Sequence, residues 1–114
     1  MRSGATIENA YLRQNLMKTT TIITHAELPV NPNFLAEVLP VAAQTRDIIQ
    51  QEAGCESFLL LTKAGAPHVL VIFATYTSRE AYDWHLAQAY VKEFFAFLQG
   101  KLLAAPNATE LVEV

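Results

Sequence analysis

Apolar and polar residues follow two different periods along this chain. Alternating or continuously apolar runs, rich in β-branched and aromatic residues, predict strands at four places: 19–28, 55–62, 68–76 and 109–114. Apolar residues that recur at spacings of three and four predict a helix over 34–53 and a second helical region after Thr77. The predicted order of elements is therefore β-α-β-β-α-β.

The strand at 68–76 carries no charge from Val69 to Tyr76 and is apolar on both faces. One face presents Leu70, Ile72, Ala74 and Tyr76, and the other presents Val69, Val71 and Phe73. The order of elements predicts an α+β, ferredoxin-like fold with an antiparallel sheet and its helices on one face. We expect a second copy's sheet to cover the other face, which predicts a homodimer through the sheet face.

Helix boundaries are predicted from capping and breaking residues. Asn33 is expected to cap the first helix and Gly54 to end it. Pro40 conflicts with an unbroken helix because it lacks an N–H, so we expect a kink or a restart there. Thr77 and Glu80 form a capping-box pattern at the start of the second helical region.

The second helical region has two apolar faces that one straight helix cannot bury together. The first face contains Tyr82, His85, Leu86 and Ala89, and the second contains Tyr90, Phe94, Phe97 and Leu98. The faces point in different directions, so a break is predicted at 87–89. Gly100 or Pro106 is predicted to end the helical region.

Composition narrows the class of protein. The 114 residues are enough for one domain, and 52% are hydrophobic while only 17% are charged, which favours a subunit interface. A net charge of −3 without a basic cluster argues against nucleic acid as a partner. The sequence has no run apolar enough to span a membrane. One cysteine and no metal-site spacing predict a metal-free protein of the reducing cytoplasm.

The first 17 residues differ in pattern from the rest, and Met17 is a second plausible start. We therefore divide the chain into an N-terminal extension, 1–17, and one domain, 18–114. The extension is interpreted either as a leader or as an arm that packs on a partner subunit.

His85 is the first candidate for catalysis. An imidazole can accept a phenolic or enolic proton near neutral pH, whereas the alternative is a structural histidine that bonds the backbone at the helix break. Tyr76, which ends the central strand, is the second candidate, because its hydroxyl could orient a substrate oxygen. Its alternative is a core aromatic residue with the hydroxyl at the rim.

Other residues are predicted to line a small-molecule pocket between the sheet and the second helical region. They are Ile72, Ala74, Tyr82, Tyr90, Phe94 and His25. For Tyr90 and Phe94, a core position is the competing interpretation, and for His25 it is a surface or structural role.

Four further residues are given structural roles. Cys55 is interpreted as a small buried hydrophobic residue, and His68 as solvated in a turn. Trp84 is expected at the pocket rim or the dimer surface. Glu52 is expected to pair with a nearby cation, Arg46 or Lys63, or to cap the junction that follows the first helix.

Two segments of the chain resemble a known family. Glu52-Ala-Gly-Cys55 resembles an E-x-G-C junction, and 76–85 (YTSREAYDWH) resembles a segment in which a short helix brings a histidine over a pocket. Both motifs are found in the antibiotic biosynthesis monooxygenase-like proteins of the dimeric α+β barrel superfamily, which this chain resembles over 19–114. It implies a homodimeric barrel and an enzyme that uses no cofactor to oxidise small quinols or phenols with dioxygen.

The chain also departs from that family at several positions. Ala74 and Tyr76 stand where the family often has Glu and Trp, and 87–89 lacks the second histidine of many members. The residues of the haem-degrading relatives are not matched, so haem oxygenation is not expected. Three hypotheses remain: a cofactor-independent monooxygenase for a small aromatic or quinol-like ligand, an isomerase or processing enzyme of the autoinducer-2 type, and a non-catalytic binding protein.

Overall fold

The computed structural model describes residues 20–114. Its four strands are β1 (Ile22–Pro29), β2 (Cys55–Lys63), β3 (Ala66–Tyr76) and β4 (Asn107–Leu111). Its helices are α1 (Leu35–Ile49), α2 (Arg79–Ala87) and α3 (Ala89–Phe97), and a short 3-10 turn (Pro32–Phe34) precedes α1. The predicted extension at 1–17 lies outside the described residues.

The four strands form one antiparallel sheet in the order β2-β3-β1-β4. The uncharged β3 and the first strand β1 lie at the centre, between β2 and β4. The ferredoxin-like α+β fold predicted from the order of elements is confirmed.

The helix-facing side of the sheet carries the core, which has two neighbouring clusters. One cluster includes Leu28, Val38, Ala42, Leu70 and Leu98, and the other includes Ile22, Ile49, Phe58, Ala74 and Tyr76. Burial of each large aliphatic or aromatic side chain contributes roughly 1.5–3 kcal/mol, so these contacts fix α1, α2 and α3 on the sheet.

The first helix differs from its prediction at its start and its end. Asn31, not Asn33, caps the 3-10 turn, because its side-chain oxygen accepts a hydrogen bond from the Asn33 N–H at 3.0 Å. The helix ends at Ile49, before the predicted stop at Gly54.

The first helix does not restart at Pro40. Val38 and Ala42, on either side of the exposed proline, are both buried against the sheet. Their packing holds the helix on the sheet through the turn that lacks one hydrogen bond, so tertiary contacts override the local preference.

The predicted break in the second helical region is confirmed. Gln88 separates α2 from α3 with an extended backbone, at φ −73° and ψ 143°. The cap of α2 is Ser78 rather than Thr77, since the Ser78 hydroxyl accepts from the Ala81 N–H at 3.1 Å. Thr77 still belongs to the preceding loop, where its N–H donates to the Gly54 carbonyl at 2.9 Å.

Gly54 has a different role from the predicted helix stop. A Cβ atom added at Gly54 would lie 2.4 Å from the Cβ atom of Ala81. The loop after α1 therefore approaches α2 so closely that only glycine fits. This contact sets the distance between the two segments that build the candidate site.

The C-terminal part and the β2–β3 hairpin also adjust the predicted boundaries. Gly100, with φ +78°, ends the helical region, and β4 is an edge strand at 107–111 rather than 109–114. Pro67 and His68 lie inside β3, where His68 is half-buried rather than in a solvated turn. Each helix within 20–114 is too short or too polar to span a bilayer.

The face of the sheet opposite the helices stays uncovered in the single chain. Large apolar side chains point from it into solvent, namely Leu59, Leu61, Phe73 and Leu111. An apolar surface of this kind on a soluble domain is typical of an interaction site.

Candidate active site

Three polar side chains meet in the protein interior where α2 breaks from α3. The Nδ1 atom of His85 lies 2.9 Å from Oε2 and 3.1 Å from Oε1 of Glu52. The Tyr90 hydroxyl donates to the same Glu52 Oε2 at 2.6 Å. The side chains of His85 and Glu52 are only 7% and 3% exposed. We call this group the Glu52–His85–Tyr90 cluster.

Each residue of the cluster comes from a different element. Glu52 lies in the loop between α1 and β2, and its carbonyl accepts from the Cys55 N–H at 3.1 Å. His85 lies in the last turn of α2, and Tyr90 lies in the first turn of α3. The helix break therefore directs both side chains toward one carboxylate.

The chemistry of the carboxylate decides the tautomer of the histidine. An ionised carboxylate can only accept hydrogen bonds, so Nδ1 of His85 donates to Glu52. In neutral imidazole the lone pair is then on Nε2, for which residues 20–114 supply no hydrogen-bond partner. Nε2 is therefore the ring nitrogen that can take a proton.

Tyr90 acts as a neutral hydrogen-bond donor to the cluster. Burial raises the pKa of its hydroxyl above the ordinary value, and the hydrogen bond and the charge of Glu52 raise that pKa further. The Tyr90 proton therefore stays on the hydroxyl at neutral pH and stabilises the Glu52 carboxylate.

Two tyrosines pack on the His85 ring. The ring centroid of Tyr76 lies 4.9 Å from that of His85 with the planes tilted by 40°, and Tyr82 stacks at 6.1 Å. Tyr76 is 1% exposed. Burial raises the pKa of its hydroxyl, and nearby Cys55 and Glu52 raise that pKa further. The two rings hold the imidazole plane, while Glu52 fixes its rotation.

A cavity of about 100 Å³ lies beside His85, between the sheet and the helices. Its wall is mostly apolar and includes residues of β1, β2, β3, β4 and all three helices. The cavity is smaller than most ligand pockets, which measure roughly 300–1,000 Å³. It therefore suits a ligand of one ring rather than a polycyclic one.

Most of the predicted pocket residues meet at this cavity. The lining includes Tyr76, His85, Ile72, Tyr82 and Phe94. Ala74 is fully buried in the adjoining core, and Tyr90 contributes through Glu52 rather than through the wall.

His25 lies away from the other predicted site residues. In β1 it is paired with Phe73 and lies on the open face of the sheet, where the two rings meet edge to face at 6.5 Å. The cavity is on the opposite face, lined in β1 by Thr24 and Ala26. The structure thus does not bring His25 together with His85.

Glu52 is the residue of the candidate site that the sequence pattern did not predict. It pairs with neither predicted cation, since Lys63 contacts Glu27 and Arg46 contacts Asp47, each at 3.0 Å. One signal was present: Glu52 opens the junction that resembles the E-x-G-C motif.

Cys55 is poorly suited to act as a nucleophile in this site. Burial, followed by the charge of Glu52, raises the pKa of the half-buried Cys55 thiol to about 11, which makes it a poor nucleophile at neutral pH. Within 20–114, His, Cys, Asp and Glu side chains form no group of three able to hold a metal ion.

The comparison with known families identifies the class of protein. The sequence profile of the antibiotic biosynthesis monooxygenase family matches residues 21–96, which is more than half of the chain. The chain belongs to that family. The search of curated proteins found no match.

Solved structures with the same fold come from several organisms. A Caulobacter crescentus CB15 protein, whose name assigns it provisionally to the antibiotic biosynthesis monooxygenases, is 25% identical, with TM-score 0.79 over 90% of this chain and 97% of its own. Rv0793 from Mycobacterium tuberculosis is 22% identical, with TM-score 0.78 over 83% and 96%. A conserved Methanosarcina mazei Go1 protein is 17% identical, with TM-score 0.80 over 87% and 98%. The latter two likenesses establish the fold alone.

Proposed function

We propose that this protein is a cofactor-independent monooxygenase that oxidises a small quinol or phenol with dioxygen. The observation that carries the proposal is the buried contact between Glu52 and His85 on the wall of an apolar cavity. This arrangement provides a base that Glu52 holds in place, an apolar pocket, and a cavity volume that suits one ring. Family membership supports the same class of reaction.

The first step is removal of a proton from the substrate. Nε2 of His85 takes the phenolic proton, while the Nδ1–H bond to Glu52 holds the ring and stabilises the imidazolium that forms. The substrate becomes a phenolate, in which electron density moves onto the ring carbons. Glu52 thus supplies a carboxylate to the site, although Ala74 stands where the family often has Glu.

The second step joins dioxygen to the substrate. The phenolate gives electrons to dioxygen, and a new C–O bond forms a hydroperoxide on a ring carbon. The imidazolium of His85 supplies the proton of this hydroperoxide, and cleavage of the O–O bond together with the C–H bond of the same ring carbon then releases water and leaves a carbonyl. A hydroquinone and one dioxygen thereby give a hydroxyquinone and one water, so dioxygen is both the oxidant and the source of the added oxygen atom.

Tyr76 and the apolar wall orient the substrate. The Tyr76 ring lies against His85, and its neutral hydroxyl can bond a substrate oxygen. Apolar contacts with Ile72 and Phe94 hold the ring and limit the entry of water, which strengthens the charge interactions within the cavity.

The two competing hypotheses receive less support. The missing acid at Ala74 and the missing second histidine at Ala89 favour a non-catalytic binding protein, and the buried acid at Glu52 offsets the first of these departures. The isomerase hypothesis is based on Tyr76 at the end of β3, which the proposed monooxygenase also uses, so this residue does not favour the isomerase over the monooxygenase.

Oxygen consumption with a panel of monocyclic quinols and phenols tests the proposal. The protein is first dialysed against a chelator and checked for flavin. We expect turnover that survives this treatment and falls at least about a hundredfold in His85→Gln, because general base catalysis contributes that much. His68→Gln, a half-buried histidine of β3 outside the cavity wall, is the matched control and should retain activity. Oxygen uptake that is equal in wild type and His85→Gln would contradict the assignment.

We also propose that the active form is a homodimer joined through the open face of the sheet. The exposed side chains of Leu59, Leu61 and Phe73 support this, because they form an apolar surface on the central and neighbouring strands. Sedimentation should give about twice the 12.6 kDa chain mass. Phe73→Asp should shift the protein to monomer, whereas Leu103→Asp, an equally apolar-to-acidic change outside the sheet, should not. A monomeric wild type would refute the dimer.

A further inference from the structure

The cavity wall contains one cation that the proposed reaction does not use. Arg46 lies on the stripe of α1 that faces the cavity, together with Ala42, Thr45 and Ile49 at helical spacings of three and four. Of the lining residues within 20–114, Arg46 alone carries a permanent charge.

Arg46 and His85 differ in their access to solvent. The Arg46 side chain is 33% exposed, whereas that of His85 is 7% exposed. The Arg46 side chain therefore lies nearer to solvent than the buried base. A ligand that contacts both must have an acidic hydroxyl at one end and a group that binds a cation at the other.

The present partner of Arg46 leaves donors available. Both its Nε and one terminal nitrogen bond a single oxygen of Asp47 at 3.0 Å. A guanidinium has five N–H donors, so several are not used in this contact. Asp47 is 65% exposed, and an exposed pair between sequence neighbours contributes little free energy. An incoming anion can therefore share or replace it.

The hydroxyl groups that β1 and α1 contribute to the wall are already directed at backbone carbonyls. The Thr45 hydroxyl donates to the Val41 carbonyl at 2.8 Å, and the Thr24 hydroxyl points to the Ala74 carbonyl at 3.5 Å. Arg46 is thus the group on this side of the wall best able to recognise a polar substituent.

We infer that Arg46 forms an anion-binding subsite and that the substrate is a single-ring quinol or phenol with a carboxylate substituent. The inference rests on the proposed function for the reacting end of the ligand. A planar carboxylate matches the guanidinium fork with two parallel hydrogen bonds, which a neutral substituent of the same shape cannot make as strongly.

Binding of a matched ligand pair tests the subsite without turnover. Gentisate, a hydroquinone carboxylate, and gentisamide, its carboxamide, have nearly the same shape and differ in charge. Under anaerobic conditions, calorimetry should show that wild type binds gentisate about tenfold more tightly, because a charged hydrogen bond is stronger than a neutral one. Added salt should reduce that preference.

Variants locate the preference. Arg46→Gln should bind the two ligands equally, and Lys92→Gln, which removes the same charge from the exposed surface of α3, should keep the tenfold difference. Asp47→Asn should strengthen gentisate binding, because it removes the competing carboxylate. Equal binding of both ligands by wild type, or a preference that persists in Arg46→Gln, would overturn the subsite.

Oxygen uptake with the same ligands separates this inference from the proposed function. Oxidation of quinols by wild type, together with gentisate binding that is unaffected by Arg46→Gln, would leave the monooxygenase in place and remove the subsite. Gentisate binding that depends on Arg46, with no oxidation of any quinol, would leave the subsite in place and remove the monooxygenase.

Discussion

Helix α2 is held at each of its ends by a carboxylate, and the two contacts differ chiefly in exposure to water. Near its N-terminus, the Arg79 guanidinium donates two hydrogen bonds to Glu110 of β4, at 2.6 and 3.1 Å, with side chains 51% and 47% exposed. Near its C-terminus, His85 contacts Glu52 at 2.9 Å with both side chains almost fully buried.

The difference shows that environment, more than geometry, determines what a pair of charged groups can do. Water screens the bidentate Arg79–Glu110 pair and solvates either partner alone, so its loss has a small effect. The Glu52–His85 pair is shielded from water, so removal of one partner leaves the other buried without that hydrogen bond. The same dryness makes a proton transfer at His85 sensitive to Glu52.

Of the substitutions that test this comparison, removal of the buried Glu52 carboxylate should have the largest effect on stability. Glu52→Ala leaves His85 and the Tyr90 hydroxyl without their acceptor and should lower the free energy of unfolding by about 3 kcal/mol. Urea denaturation measures it, with the exposed neighbour Glu56→Ala as the control. Equal stability of the two variants would mean that the buried pair is not a structural requirement.

A methyl group at Gly54 should disturb the same region through packing. Gly54→Ala places a Cβ atom 2.4 Å from Ala81, and overpacking of this kind should destabilise the protein by about 2 kcal/mol. Gly65→Ala, where no atom lies within 4 Å, should change stability by less than about 0.5 kcal/mol. Thermal or urea unfolding compares the two, and a tolerated Gly54→Ala would contradict the close approach of loop and helix.

Removal of one hydroxyl should weaken the cluster and leave the Glu52–His85 contact in place. Tyr90→Phe deletes the 2.6 Å hydrogen bond to Glu52 and should lower the free energy of unfolding by about 1.5 kcal/mol. Turnover should fall less than in His85→Gln. If Tyr90→Phe instead abolished activity while remaining folded, Tyr90 would have a direct role in the reaction.

The exposed pair should give the smallest effect, and that effect should disappear in acid. Arg79 holds the pKa of Glu110 below its ordinary value of 4.5, so the pair stabilises the folded protein above that pH. Its contribution is lost as the pH falls through the lowered pKa. The Tm of Glu110→Gln should therefore be slightly below that of wild type at neutral pH and converge with it in strong acid. A large decrease in the Tm of Glu110→Gln at neutral pH would mean that the exposed pair stabilises the protein as much as the buried pair does.

The sequence predicts the elements and the helix break well because these depend on local periodicity. Two apolar faces in one helical region required a turn between them, and Gln88 provides it. Pro40 shows the limit of such reasoning, since the buried neighbours Val38 and Ala42 keep the helix continuous.

The candidate site was predicted only in part because it joins distant segments. Glu52 and His85 are 33 residues apart, and no local pattern links a loop carboxylate to a histidine on a later helix. His25 illustrates a second limit. The alternation of β1 separates two faces, and it does not say which one the helices cover.

The tautomer of His85 tests the central claim most directly, because it requires no knowledge of the substrate. Proton–nitrogen correlation spectra of protein labelled at histidine nitrogens report which ring nitrogen carries the proton, with Glu52→Gln as the comparison. If Glu52 holds His85 as a base, Nδ1 is protonated in neutral imidazole, Nε2 has a lone pair, and Glu52→Gln loses this strict preference. A proton on Nε2 in wild type would contradict the account, because the nitrogen proposed as the base could not accept one from the substrate.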